Sequence, residues 1–126
     1  MPLQYLDHVN IRTADLERLS RFYEQVLGLS RGPRPPFSFG GAWHYAGERA
    51  AVHLVEVPDA PPAQAPRLEH FAFRATGLDG FVERLSRFGV EYRFAEVPEA
   101  VTLQVHFVDP DGNHVEVQFD AAEDAG

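Results

Sequence analysis

The chain contains no cysteine. Disulfides, thiolate metal sites and a cysteine nucleophile are therefore excluded. It also lacks any apolar run approaching the roughly 20 residues that a membrane-spanning helix needs, so no membrane partner is expected. Basic residues are scarce: 11 Lys and Arg stand against 19 Asp and Glu, for a formal charge of −8. A nucleic-acid binder needs a basic face, so that partner is not expected either. The opening residues Met1-Pro2-Leu3-Gln4 lack the basic-then-apolar pattern of a secretory signal, which makes a cytoplasmic location the expectation. What is present is ordinary for a soluble globular chain: 126 residues, 44% hydrophobic and 24% charged. That length suits a single domain with a real core.

The informative feature is an internal echo. Leu6-Asp7-His8-Val9-Asn10-Ile11-Arg12 returns as Leu68-Glu69-His70-Phe71-Ala72-Phe73-Arg74, 62 residues later. Leucine falls on leucine, acid on acid, histidine on histidine and arginine on arginine. A shift of 63 then puts Val52-His53-Leu54 on Val115-Glu116-Val117. Such a repeat should be sought before a fold is assigned. It yields four side chains able to bind a metal, in two equivalent pairs: His8 with His70, and His53 with Glu116.

Each copy reads β-α-β-β-β. Leu3 to Arg12 alternates as a strand. Thr13 or Asp15 can cap a helix whose stripe is Leu16, Leu19, Phe22, Tyr23, Val26 and Leu27, with Gly28 as its stop. Leu29-Ser30 opens a second strand. Residues 31–41 are rich in Pro and Gly and read as a loop anchored by Phe37 and Phe39. Ala42–Ala46 and Ala50–Val57 form a hairpin around Gly47. The second copy repeats this plan: strand 68–75, a helix from near Leu78 stopped by Gly89, strand 90–95, then strands 101–108 and 114–119 joined by Asp109-Pro110-Asp111-Gly112-Asn113. Module one is thus about 3–57 and module two about 67–120. A proline-rich linker at 58–66 lies between them, and a flexible polar tail is expected at 121–126.

Strand parity adds a specific expectation. Val108 paired with His114 sets Phe107 on Val115, His106 on Glu116 and Gln104 on Gln118. His114, Glu116 and Gln118 then share one face. A row this polar suits a wet, ligand-binding face better than a dry core. Two histidines and a carboxylate suit a divalent metal that keeps open positions. His53 can be a fourth ligand, an acid–base group or a polar wall residue. His106 is read as a neighbour of the carboxylate, and His44 and His114 as surface residues, with strand parity allowing His114 to face inward instead. Trp43, Phe37 and Phe39 either anchor the loop or wall the site; Arg34 either meets an acidic substrate group or is simply exposed. Asp109 and Asn113 hold the turn.

His8-Val9-Asn10-Ile11, Phe22-Tyr23-Glu24-Gln25-Val26-Leu27-Gly28-Leu29, Glu69-His70-Phe71-Ala72-Phe73 and Phe107 to Val117 resemble the vicinal oxygen chelate superfamily, which includes glyoxalases, extradiol dioxygenases and bleomycin resistance proteins. The resemblance implies an α+β fold of two paired β-α-β-β-β modules, whose curled mixed sheets form a metal-binding cup. It places His8, His70 and Glu116 at the ligand triad and His53 at the fourth inward position. The implied cofactor is a divalent ion: Fe(II), Zn, Ni, Co or Mn. The implied partners are a small substrate with adjacent oxygens and a second copy of the chain, as a homodimer. Glu116, His53 and His106 are the catalytic candidates. Asn10, Arg34, Phe39, Trp43 and Gln104 are the substrate-binding ones. A glyoxalase-like isomerase or lyase is the favoured activity. An extradiol-type Fe(II) dioxygenase and a binding protein without catalysis are the alternatives.

Overall fold

The computed structural model describes residues 5–60, 69–97 and 102–123. The chain divides into two compact units, Met1–Pro62 and Ala63–Gly126. In the first, strand β1 (Val9–Thr13) leads into helix α1 (Leu16–Gln25), then β2 (Ser30–Gly32), β3 (Gly41–Ala46) and β4 (Arg49–Glu56). In the second, β5 (His70–Arg74) leads into α2 (Leu78–Arg87), then β6 (Arg93–Val97), β7 (Thr102–Val108) and β8 (His114–Asp120). The sheet orders are β1-β4-β3-β2 and β5-β8-β7-β6. In each, the first strand runs parallel to the last and the other pairs are antiparallel. The sequence echo is therefore a structural repeat, and the expected β-α-β-β-β modules are both present.

Strand β1 starts at Val9 rather than Leu3. Residues 5–8 are exposed and carry no ladder, and Leu3 lies outside the described residues. The linker reading at 58–66 and the starts of two strands, Leu68 and Val101, fall wholly or largely outside them as well. Both proposed caps of α1 act together. The Thr13 hydroxyl accepts from the Asp15 amide at 3.1 Å, and the Asp15 carboxylate accepts from the Arg18 amide at 3.2 Å. Gly28 and Gly89, with φ of 73° and 69°, follow the two helices in the left-handed conformation that ends a helix.

The first unit's core lies between α1 and its sheet. Leu16, Leu19, Phe22, Tyr23 and Val26 from the helix are buried, as are Ile11, Ala42, Val52 and Leu54 from alternate strand positions. His44 belongs to this layer. It is fully buried, contrary to the surface position expected for it, because strand parity places it beside Ala42 rather than Trp43. Its Nε2 lies 3.0 Å from the Ser20 hydroxyl. Burial, reinforced by the Arg31 guanidinium, lowers its pKa from 6.5 to about 4.

In the second unit Leu103, Val105, Phe107, Val115, Val117 and Phe119 are buried beneath α2 residues Leu78 and Leu85. Phe81 of that helix packs on Phe107 and Phe119 at 5.9 and 5.6 Å. Helix α2 has Gly77 at its N-cap and no capping side chain of its own. The Glu123 carboxylate supplies the missing acceptor for the Gly77 and Leu78 amides at 2.8 and 3.1 Å. Glu123 ends a 3-10 turn, Ala121–Glu123. The first half of the expected polar tail is thus a helix cap, and residues 124–126 lie outside the described residues.

The β7–β8 turn is built on Asp109. Its carboxylate accepts from the Asp111 and Asn113 amides and from the Asn113 side chain, at 3.0, 2.8 and 2.8 Å. Replacing Asp109 with Ala removes both carboxylate oxygens, and with them all three hydrogen bonds, from a buried position. The expected loss is about 2–4 kcal/mol in urea unfolding. His44 gives a pH-dependent counterpart. Its folded pKa lies below the unfolded value, so the unfolded chain takes up the proton first. Its contribution is complete above pH 6.5 and falls by about 3 kcal/mol as the pH drops towards 4. Urea midpoints followed against pH should show this slope in the wild type and its loss in His44→Gln.

Candidate functional site

In the second unit the expected register holds at every position: Val108 on His114, His106 on Glu116, Gln104 on Gln118. Parity sends Val105, Phe107, Val115 and Val117 under the helix, and Gln104, His106, His114, Glu116 and Gln118 to the other face. Glu116 is only 3% exposed. One of its oxygens, Oε2, accepts from both glutamine amides, Gln104 at 3.2 Å and Gln118 at 2.6 Å. The other, Oε1, has His70 Nε2 at 3.4 Å and His106 Nε2 at 3.8 Å. The carboxylate is held by one oxygen and turned towards imidazole nitrogens with the other.

The rest of the row is ordered by hydrogen bonding. Because Gln104 donates its amide to Glu116, its carbonyl faces His106 and accepts from His106 Nε2 at 2.9 Å. His106 Nδ1 then faces His114 Nε2 at 2.9 Å. Burial, then the Arg93 charge, lowers the His106 pKa, with Glu116 opposing. A neutral His106 must therefore accept at Nδ1, and His114 must donate from Nε2. His114 takes the inward position that parity allows for it rather than the surface one. It lies in this row with its side chain 25% exposed. Its parity with Glu116 was the signal that identifies it.

The first unit assembles its own group. His53 pairs with Asn10 on β1 and Trp43 on β3. Its ring is sandwiched between His8, at 3.9 Å and 10°, and Trp43, at 4.0 Å and 11°. His53 Nε2 donates to the Ala50 carbonyl at 2.9 Å, which leaves Nδ1 as its unprotonated nitrogen. Burial, then the His8 charge, lowers the His53 pKa. A cavity of about 540 Å³ opens beside the stack, lined by Tyr5, His8, Phe37, Trp43, Arg49 and His53 among others. Phe39 stacks on Phe37 at 4.9 Å. Arg34 lies over both phenyl rings and donates to the Phe39 carbonyl at 3.1 Å, so its guanidinium organises the proline-rich loop.

A profile of the Glyoxalase/Bleomycin resistance protein/Dioxygenase superfamily matches residues 5–117. The chain belongs to that superfamily. Solved structures of the same fold include a glyoxalase family protein from Bacillus anthracis, 24% identical, covering 94% of this chain and 96% of that one with a TM-score of 0.77. The lactoylglutathione lyase of Agrobacterium tumefaciens is 21% identical over 94% and 96% of the two chains, with a TM-score of 0.71. TnmS3, an antibiotic binding protein from Streptomyces sp. CB03234, is 23% identical over 95% and 98%, also with a TM-score of 0.71. A lyase and a binding protein thus share this superfamily fold at similar distance. The two mixed four-stranded sheets and their helices are common to all of them; the chemistry must be read from the side chains.

In each unit the repeated acid meets its histidine in the same way. Asp7 lies 2.6 Å from His8 Nδ1, and Glu69 lies 3.0 Å from His70 Nδ1. The second strand pair diverges: His53 and Trp43 occupy the positions equivalent to Glu116 and His106. One half is an aromatic stack and the other a hydrogen-bonded polar row. Trp43 is the single tryptophan of the chain. A planar aromatic compound entering the cavity beside it should shift its emission to the blue and saturate. Unchanged emission with a compound shown by calorimetry to bind would place that compound elsewhere.

Proposed function

We propose that this protein is a divalent-metal-dependent enzyme acting on a small substrate with adjacent oxygens, as a glyoxalase-like isomerase or lyase. The observation that carries the reading is Glu116. It is a buried carboxylate whose Oε2 is saturated by two glutamine amides, while its Oε1 is left facing His70 Nε2 at 3.4 Å. A separation of that size is typical of two atoms that share one ion, and an imidazole–carboxylate set suits Fe(II), Zn, Ni, Co or Mn. His70 and Glu116 would hold the ion, and superfamily resemblance adds His8 and His53 as further ligands. When bound, such an ion supplies Lewis-acid polarisation of neighbouring substrate oxygens.

The chain's own residues provide the rest. Glu116 is the base best placed to move a proton alpha to a carbonyl: Oε1 would leave the ion to take the proton, while Oε2 stays held by the glutamines. Gln104 holds that oxygen, and His106 stands close to the reactive one as the adjoining acid–base group. The first unit brings its own cavity, walled by Trp43 and Phe37 with Phe39 stacked on Phe37, and Asn10 and Arg34 stand as further candidates for substrate contact. A small-molecule substrate, a homodimer and a cytoplasmic location complete the proposal. Among the described residues no helix is long and apolar enough to cross a membrane.

One observation favours Fe(II) dioxygenase chemistry as a second reading. His53 is buried and kept below the ordinary histidine pKa, mainly by burial, so it offers a neutral acid–base imidazole.

Metal content and affinity after anaerobic purification decide between these readings. Wild type should take up a stoichiometric divalent ion. His70→Ala and Glu116→Gln should each weaken it by more than the roughly 10–100-fold that losing an outer partner costs. His8→Ala in the same assay reports whether the first unit contributes a ligand. Oxygen uptake on a catechol with Fe(II) would select the dioxygenase. Failure to hold any stoichiometric metal under every loading condition would leave a binding protein without metal chemistry and end the proposal.

A further inference from the structure

His70 has a second side. Its Nε2 faces Glu116, but its Nδ1 faces the Glu69 carboxylate at 3.0 Å. The same Glu69 oxygen lies 3.8 Å from His114 Nδ1. Glu69, His70 and His114 thus bring three ligand atoms within 4.8 Å of one another. Around an ion with bonds of about 2.1 Å, ligand atoms separated by 3.0 and 3.8 Å subtend angles near 90° and 130°. The two separations from the Glu69 oxygen therefore fit a small cation.

The protonation pattern points the same way. The hydrogen-bonded row from Glu116 through Gln104 and His106 engages His114 at Nε2 and turns its Nδ1 towards Glu69. With Nε2 donating, that Nδ1 and the Glu69 oxygen are both acceptors. A donor or a cation placed between them satisfies both, and a divalent cation does so while also engaging His70. His70 can adopt the same arrangement, with its Nε2–H donated to Glu116 Oε1 and Nδ1 turned to Glu69. Each histidine then has its outer nitrogen held by a partner, Glu116 for one and His106 for the other. This is the arrangement found around metal-binding histidines.

We propose that Glu69, His70 and His114 form an accessory site for a zinc-like divalent cation, separate from the ion assigned to His70 Nε2 and Glu116. A neutral imidazole offers only one lone pair, so the two seats compete for His70. Occupation of the accessory seat withdraws His70 from the other one, and an excess of the cation therefore acts as an inhibitor of the enzyme proposed above. The accessory seat does not depend on that proposal, because all its ligands and outer partners lie in the second unit.

The test is a Zn²⁺ titration against a chromophoric chelator, with variants checked for fold by circular dichroism. In Glu116→Gln, zinc should still bind at one equivalent. His114→Ala added to that background should weaken it at least about tenfold, and His106→Ala by roughly 10–100-fold. Glu69→Gln changes an exposed side chain and should reproduce the His114→Ala loss without touching the fold. In ¹⁵N-labelled Glu116→Gln, zinc should move the His114 Nδ1 resonance in a coordination-like direction. Zinc binding in Glu116→Gln that is unchanged by His114→Ala and by Glu69→Gln overturns the accessory site, as does the absence of any binding in Glu116→Gln. Failure of the other assignment looks different: wild type and Glu116→Gln would bind zinc equally, and both would lose it with His114→Ala.

Discussion

The second unit depends on the register of β7 against β8. Five residues turn the chain, and Asp109 fixes them by accepting three hydrogen bonds from within the turn. A slip of one residue would exchange the two faces of a strand. Gln104 and His106 would go under the helix, and Val105 and Phe107 would meet water. With the register set, one buried carboxylate finds two amide donors and two imidazoles at once. A carboxylate as buried as Glu116 is costly unless it is hydrogen-bonded, so the glutamines are required by the burial itself. Its other oxygen, Oε1, is left to the imidazoles of His70 and His106.

The two units show how one topology supports two kinds of surface. Strand order and direction are the same in both, and so is the acid–histidine contact that opens each copy. At the next equivalent positions, Glu116 and His106 in one unit become His53 and Trp43 in the other. A carboxylate demands donors and gathers a polar network. An imidazole between two parallel rings is satisfied by dispersion and one backbone carbonyl. The second unit therefore presents a row of carboxylate, amide and imidazole groups, while the first presents a stack of flat aromatic rings. Superfamily membership does not choose between catalysis and binding, since solved relatives of this fold do each. The polar row is the part of this chain that argues for catalysis.

Much of this was legible in the residues. The 62-residue echo gave the modules, the helical stripes gave α1 and α2, and parity from a single turn gave the pairing of His106 with Glu116. Three readings failed for local reasons. His44 looks like a surface histidine between Trp43 and Tyr45, yet parity with Ala42 carries it into the core beside Ser20. His114 opens its strand immediately after a turn, where exposure is the usual outcome, and it is drawn into the row by His106. The tail after Asp120 has no large apolar residue to recommend it, but helix α2 has glycine at its N-cap and lacked a capping side chain, and Glu123 provides one.

The sequence by itself determined periodicity, because spacing of two or 3.6 residues is written along the chain. It determined equivalence as well, because a repeat can be seen without coordinates. Only the tertiary structure decided which atoms meet. Glu116 Oε2 rather than Oε1 takes the glutamines, His70 has a different partner on each nitrogen, and His53 lies between two rings with its Nε2 on a backbone carbonyl. Those outcomes depend on side-chain torsions and on neighbours that are remote in sequence. They are settled by packing and hydrogen-bond satisfaction, which no pattern along a single chain encodes.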